Sequence, residues 1–384
     1  MSRNQLSAVP FTDSKPHYHI LDGLRGVAAI LVVCFHLLEA HATSHWDQIV
    51  NHGYLAVDFF FVLSGFVIGY AYDDRWNKMS LKDFCKRRLI RLQPMVILGG
   101  LIGAALFYLG VGPVSPHVEH TTIGMLLLGT VMSCLLLPLP GSCDIRGWNE
   151  MYPLNGPSWS LFYEYIANLL YALVVRRFSN KLLALFVFIF GCMTAHYLLT
   201  SSNGDIVGGW ALNGHEIYVG LVRLFYPFFA GLLLSRLKLK LPTPHPFLIC
   251  SLFLILLLIM PRIGGTAIWM NAVYEIICIL FFFPLIVIIG SSSEIHSKYK
   301  TSFTCHFLGI ISYPLYITHY PFIYLYFNYV HGKNQPSTAG LWGWGIIIVI
   351  GCVALAYLYF KLYDEPVRRY LTNTFLRSKN KKTI

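Results

Sequence analysis

Runs of apolar residues long enough to cross a lipid bilayer recur along this 384-residue chain from Ile20 to Tyr363. A helix crossing a hydrocarbon core ~30 Å thick needs about 20 apolar residues. Candidate segments begin near Ile20, Tyr54, Leu89, Thr121, Ser158, Leu182, Ile217, Pro246, Asn271, His306 and Leu341. Charged residues make up 12% of the chain, roughly half the share of a soluble domain, and nowhere does the composition turn soluble for longer than a loop. Fibrous, disordered and disulfide-stapled classes are excluded. The expectation is an all-α, polytopic membrane helical bundle, with one integral-membrane domain over residues 1–384.

The net charge of +11 does not call for a nucleic-acid partner, because the basic residues are sorted by loop. Seven lie between Arg75 and Arg91 and six between Arg368 and Lys382, with smaller groups at Arg176–Lys181, Arg236–Lys240 and Lys298–Lys300. Only Arg146, Arg262 and Lys333 fall in the opposite loops. Such an excess marks the cytoplasmic side of a cell (inner) membrane. It places both termini, residues 1–19 and the basic tail 366–384, in the cytoplasm and requires an even number of crossings. The expectation is about ten transmembrane helices, with Thr121–Pro140 re-entrant or interfacial. The first nineteen residues are polar and no cleavable signal is expected. The nine cysteines show no CxxC pair and no Cys/His metal spacing, so no metal is expected.

Ionisable residues inside the spans are costly, and they point to function. Arg25 and His36 lie eleven residues apart on the first helix, nearly on one face and ~16 Å apart along its axis. Taken alone, Arg25 reads as an interfacial charge paired with Asp22 at i−3. Asp58 enters the second helix at the depth of His36, where it would hold the imidazole in one tautomer. The plainer reading is a polar pair joining two helices. Glu164, Arg223 and Glu275 fall in the outer half and suggest one polar cavity opening outward. His319 sits mid-span between Pro314 and Pro321, where kinks would widen a pocket, although a lone histidine on an apolar helix is more often a core residue. Arg87, Arg88 and Arg91 form a basic cluster suited to lipid anchoring or to gripping phosphates.

Several segments then look familiar together. Leu21-Asp22-Gly23-Leu24-Arg25-Gly26, with His36 ten residues on, resembles the Arg-x10-His motif of the acyltransferase 3 membrane family. Val57-Asp58-Phe59-Phe60 and the residues to Phe66 are similar to its second-helix signature, and Arg88-Leu89-Ile90-Arg91 to its Arg-x-x-Arg element. Ser158-Trp159-Ser160-Leu161 with Glu164 resembles its Trp-Ser-Leu motif. Ser312-Tyr313-Pro314-Leu315-Tyr316-Ile317-Thr318-His319 resembles its late helix, and Asp364-Glu365-Pro366 its closing segment. Six such matches in family order are highly specific.

The resemblance implies transfer of an acyl group, usually acetyl, from cytoplasmic acyl-coenzyme A to a hydroxyl of a cell-envelope glycan or other acceptor at the outer face. His36 would be the catalytic base, with Arg25, Arg88 and Arg91 serving the donor. On the residues themselves, Arg87 would join the phosphate grip, Asp58 would orient His36, and Glu164 would bind acceptor hydroxyls. Trp159 or Trp148 would stack on a sugar ring, with interfacial anchoring equally open to Trp148. Ser160, Arg223, Glu275, Tyr316 and His319 complete the candidate substrate site. Some family members carry a further hydrolase-like domain, whereas this chain stops at Ile384. That leaves open whether it acts alone, as a homo-oligomer, or through a partner protein that accepts the acyl group. The competing reading is a secondary transporter with His36, Asp58, Arg223 and Glu275 as a relay, although no similarity between the two halves is evident.

Overall fold

The computed structural model describes residues 15, 17–44, 46–292, 299–332 and 338–376. Expectations about residues 1–14, the Lys298 and Lys333 loops and the tail beyond Leu376 lie outside them. The described chain folds as α1 (His19–Glu39), α2 (Ala56–Tyr72), α3 (Leu81–Ala105), α4 (Ile123–Leu135), α5 (Ser158–Leu173), α6 (Asn180–Thr200), α7 (Gly214–Leu237), α8 (Pro246–Ile259), α9 (Trp269–Ile277), α10 (Phe283–Ser292), α11 (Tyr299–Thr318), α12 (Tyr320–Val330), α13 (Thr338–Tyr359) and α14 (Glu365–Phe375). A π-helical turn at Cys278–Phe282 joins α9 to α10, and another at Phe360–Asp364 joins α13 to α14. No strand occurs among the described residues.

This is an all-α polytopic membrane bundle. Every expected apolar run is a helix, and seven among the described residues are long and apolar enough to cross a bilayer. Three further expected spans are shorter: α5 has 16 residues, α8 has 14, and the apolar part of α11 is Phe303–Thr318. His319 keeps helical dihedrals (φ −74°, ψ −37°), so α11 runs on into α12.

The α4 segment has 13 residues, ~20 Å of helix and too short to cross. It lies back along α3: Met125 packs near Ala104, and the Gln93 side chain donates to the Cys134 carbonyl (2.6 Å). The chain turns at Leu136 in the left-handed region (φ 55°) and returns, with Tyr152 donating to the Leu136 carbonyl (2.9 Å). The segment thus folds back along α3 instead of crossing, and its returning loop is buried from Glu150 to Ser160.

The core is built on two tight crossings. At α2–α7, a Cβ on Gly65 would overlap the Phe228 carbonyl oxygen, and one on Gly231 would overlap that of Val62. At α1–α11, Gly26 faces the Leu308 backbone in the same way. Without a hydrophobic drive between helices in lipid, such small residues let backbones approach and gain dispersion contacts. Gly65→Leu is expected to pry α2 from α7 at a cost of about 1–3 kcal/mol. The measurement is the unfolding midpoint in detergent, and an unchanged midpoint would contradict the expectation.

Candidate active site

The late-helix prolines shape the centre of the site. Pro321 lacks the N–H that would serve the Ile317 carbonyl one turn earlier. Asn155, from the returning loop, supplies the missing donor (2.7 Å). The loop that leads into α5 is therefore pinned to the α11–α12 junction. One residue past the prolyl gap in the hydrogen-bond ladder, Ser160 and Tyr316 share a hydrogen bond of 2.7 Å. Both hydroxyls also lie within reach of the Pro157 carbonyl, Ser160 at 3.0 Å and Tyr316 at 3.5 Å. The Trp-Ser-Leu segment and the late helix, 156 residues apart, thus meet inside the bundle.

His319 follows on the same helix. Its Nδ1 lies 3.1 Å from the Leu315 carbonyl and 2.9 Å from that of Tyr316, so Nδ1 carries the proton and donates. Nε2 is buried and without a partner. The ring stacks on His36 (centroids 5.6 Å apart, 26° between planes). Nδ1 of His36 donates to Glu39 at 3.1 Å, one helical turn on, leaving Nε2 as the lone-pair nitrogen. His36 keeps 21% of its side chain exposed while His319 has none, so only His36 can meet a molecule arriving from outside. Tyr320 packs edge-on against His36 at 4.7 Å.

Toward the other end, Ser160 and Glu164 share a face of α5. Glu164 accepts from Arg88 (2.7 Å) and from Ser64 of α2 (3.1 Å). Near the start of α1, Arg25 pairs with Asp22 (3.2 Å), the i−3 pair expected from the spacing. Arg91 makes no hydrogen bond and lies within electrostatic reach of Arg368, Arg25, Asp364 and Asp22. Asp364, in the π-turn, is held by Arg368 (2.9 Å). Arg87 is half-buried on the same face of the bundle end. A file of polar side chains therefore runs from Arg25 and Arg91, through Arg88, Glu164, Ser160, Tyr316 and His319, to His36.

Several expectations are corrected. Asp58 does not orient His36. It forms a buried pair with Arg223 (Nη2–Oδ2 2.8 Å, Nε–Oδ1 3.4 Å), and Glu39 takes its place beside the imidazole. Arg223 also donates to the carbonyls of Tyr54 (2.7 Å) and Gly208 (3.1 Å), which engages four of its five N–H groups, and at 1% exposure it is closed off from a substrate. Glu275 is fully buried and accepts from the Tyr54 hydroxyl (2.5 Å), the Ile206 N–H (3.0 Å) and Asn271 (3.0 Å). The single outward cavity expected from Asp58, Glu164, Arg223 and Glu275 is thus absent. Three of the four form a closed network around Tyr54, and Glu164 faces Arg88. Trp159 is buried with the Arg223 guanidinium 5.0 Å over its ring, which bars it from stacking on a sugar. Trp148 packs edge-on against Tyr324 and Phe327. Arg88, bound to Glu164, does not stand open beside Arg91 as a joint phosphate grip.

Two carboxyl groups went unnoticed in the sequence. Glu39 was visible as a Glu three residues after His36. Glu150, on the returning loop, left no periodic signal. Burial pushes its carboxyl up to about 8, so that it carries its proton at neutral pH.

The sequence matches the family described as an acyltransferase domain across residues 18–361. The chain belongs to the acyltransferase 3 family. It is 25% identical over 366 residues to O-acetyltransferase OatA of Staphylococcus aureus, an alignment covering 91% of this chain and 57% of that protein. The chain thus spans little more than half of that relative's length. It is 36% identical over 170 residues to Protein 2 in picA locus of Rhizobium radiobacter, covering 42% of this chain and 84% of that protein. No solved structure matches. Family membership puts the polar file inside an acyltransferase, where a file joining two ends of a bundle has a use.

Proposed function

We propose that this acyltransferase moves an acetyl group from acetyl-coenzyme A, bound at the basic cytoplasmic end of the bundle, to a hydroxyl of a cell-envelope glycan at the outer face of the cell membrane. The observation that carries the reading is the polar file from Arg25 and Arg91 to His36. In this scheme the coenzyme phosphates lie against Arg91, Arg25 and Arg368, and the acyl arm extends beside α1 toward His36. The acceptor hydroxyl gives its proton to Nε2 of His36 as its oxygen bonds to the acyl carbon. The carbon–sulfur bond breaks, and the proton passes from His36 to the departing thiolate. Glu39 accepts from Nδ1–H and stabilises the imidazolium while it exists. Tyr316 would support the developing oxyanion by turning its single O–H toward it and away from its present protein partner.

The closed Asp58–Arg223–Tyr54–Glu275 network speaks against a transporter relay, since each member is satisfied by protein groups. Arg91→Ala is expected to weaken acetyl-coenzyme A binding by about 10- to 100-fold, the worth of one or two charge-assisted hydrogen bonds to phosphate. Arg88→Ala alone should leave that affinity near wild type, because Arg88 is engaged by Glu164. Titration calorimetry on the purified protein measures both, and unchanged affinity in Arg91→Ala would overturn the donor site. Loss of O-acetyl groups from surface glycans in a deletion strain tests the acceptor class.

A further inference from the structure

The returning loop carries a carboxyl group that the transfer scheme leaves unused. Glu150 is buried, with 8% of the residue exposed. Its Oε2 accepts from the Tyr324 hydroxyl on α12, while Oε1 makes no hydrogen bond. Gly156 lies beside that second oxygen. A Cβ there would come within 2.7 Å of Oε1 and 2.9 Å of the Tyr320 ring, so only glycine leaves the space between them open. Tyr320 in turn stands edge-on to both Tyr324 (4.6 Å) and His36 (4.7 Å). Glu150, beside Gly156, and His36 therefore both lie close to the Tyr320 ring.

The loop holds this position firmly. The Asp144 carboxylate accepts from the backbone N–H groups of Arg146, Gly147 and Asn149 at 2.8–3.0 Å. Arg146 donates to the Pro153 carbonyl (2.8 Å) and lies 3.6 Å over the Tyr324 ring. A buried polar atom without a partner is costly, and Nε2 of His319, whose ring packs on Tyr320 (5.8 Å), is one. That nitrogen and the free Oε1 of Glu150, both close to Tyr320, fit a site that a hydroxylated molecule completes.

We propose that Glu150 is an acceptor-binding residue, whose carboxyl group hydrogen-bonds a sugar hydroxyl neighbouring the one delivered to His36. This rests on the acetyl-transfer reading and adds to it the acceptor's chemistry: a ring or polyol with adjacent hydroxyls, in preference to an isolated alcohol. The protonated carboxyl both donates and accepts, as such a hydroxyl does.

The test uses the full-length protein in proteoliposomes, supplied with labelled acetyl-coenzyme A and with methyl glucoside or propanol as probes. Wild type should divert acetyl groups from slow hydrolysis to methyl glucoside in preference to propanol. Glu150→Ala should need about tenfold more methyl glucoside for the same transfer, the worth of one buried hydrogen bond. Its acetyl-coenzyme A binding and hydrolysis should be unchanged. Glu150→Gln, which keeps a donor and an acceptor, should return the probe dependence to within about threefold of wild type. Equal probe dependence in wild type and Glu150→Ala overturns the inference, as does equal use of both probes by wild type. Loss of hydrolysis together with transfer also overturns it, because Glu150 would then be a prop for the loop. A wild-type protein that consumes no acetyl-coenzyme A would sink the underlying reading itself, an outcome distinct from the others.

Discussion

Replacing His36 with alanine is expected to lower the rate of acyl transfer by about 10²–10⁴-fold, the span attributed to a positioned general base. Acetyl-coenzyme A binding should survive, because the proposed donor site is near Arg91, at the other end of the file. The size of the effect follows from the geometry around the ring. Glu39 accepts from Nδ1 of His36, which orients Nε2 toward an incoming hydroxyl. His319 stacks on the same ring but is sealed from solvent and spends Nδ1 on backbone carbonyls. It cannot take over as the group that meets the acceptor. Transfer is followed with labelled acetyl-coenzyme A, and binding is measured on the same preparation. Normal acylation by a well-expressed His36→Ala protein would sink the role assigned to this residue.

The second large effect concerns stability. Asp58→Ala removes the carboxylate from a pair in which neither side chain is more than 1% exposed. The Arg223 charge would remain in the bundle with two carbonyls and the Trp159 ring but no counter-charge. Breaking one side of a buried ion pair costs about 3–5 kcal/mol, whereas replacing both sides with apolar residues of similar volume is often nearly neutral. Asp58→Leu combined with Arg223→Met should therefore unfold at a midpoint well above that of Asp58→Ala. The comparison separates two roles for Asp58. If the residue oriented His36, the single variant would keep its stability and lose turnover, and restoring stability with the double variant would restore nothing. Thermal unfolding in detergent, read beside transfer activity, decides between them.

The motif residues were legible in the sequence because each is a local pattern. Arg25 and His36 share a helix face by counting, and Asp22 sits at i−3 from Arg25. That the Thr121–Pro140 segment does not cross was legible too, from the parity of the basic loops. Partner choice was not legible. Asp58 and His36 lie at matching depths on adjacent helices, yet the α2–α7 crossing at Gly65 and Gly231 brings Arg223 to Asp58 instead. Glu164 seemed bound for the outer face because α5 was counted from a surface start. The loop before it is buried, which carries the whole helix inward and sets Glu164 against Arg88.

The sequence by itself determined that this chain is an all-helical membrane protein, and which of its few polar residues stand in family motifs. Hydropathy and helical period are properties of short stretches, and they survive without knowledge of neighbours. The tertiary structure alone decided which charge each ionisable group meets. A side chain reaches only a few ångströms, so small rotations and tilts of packed helices determine whether a carboxylate finds an imidazole or a guanidinium. Scarce charges mark the site in the sequence, but their pairing in space divides those that hold the bundle together from those left free to act.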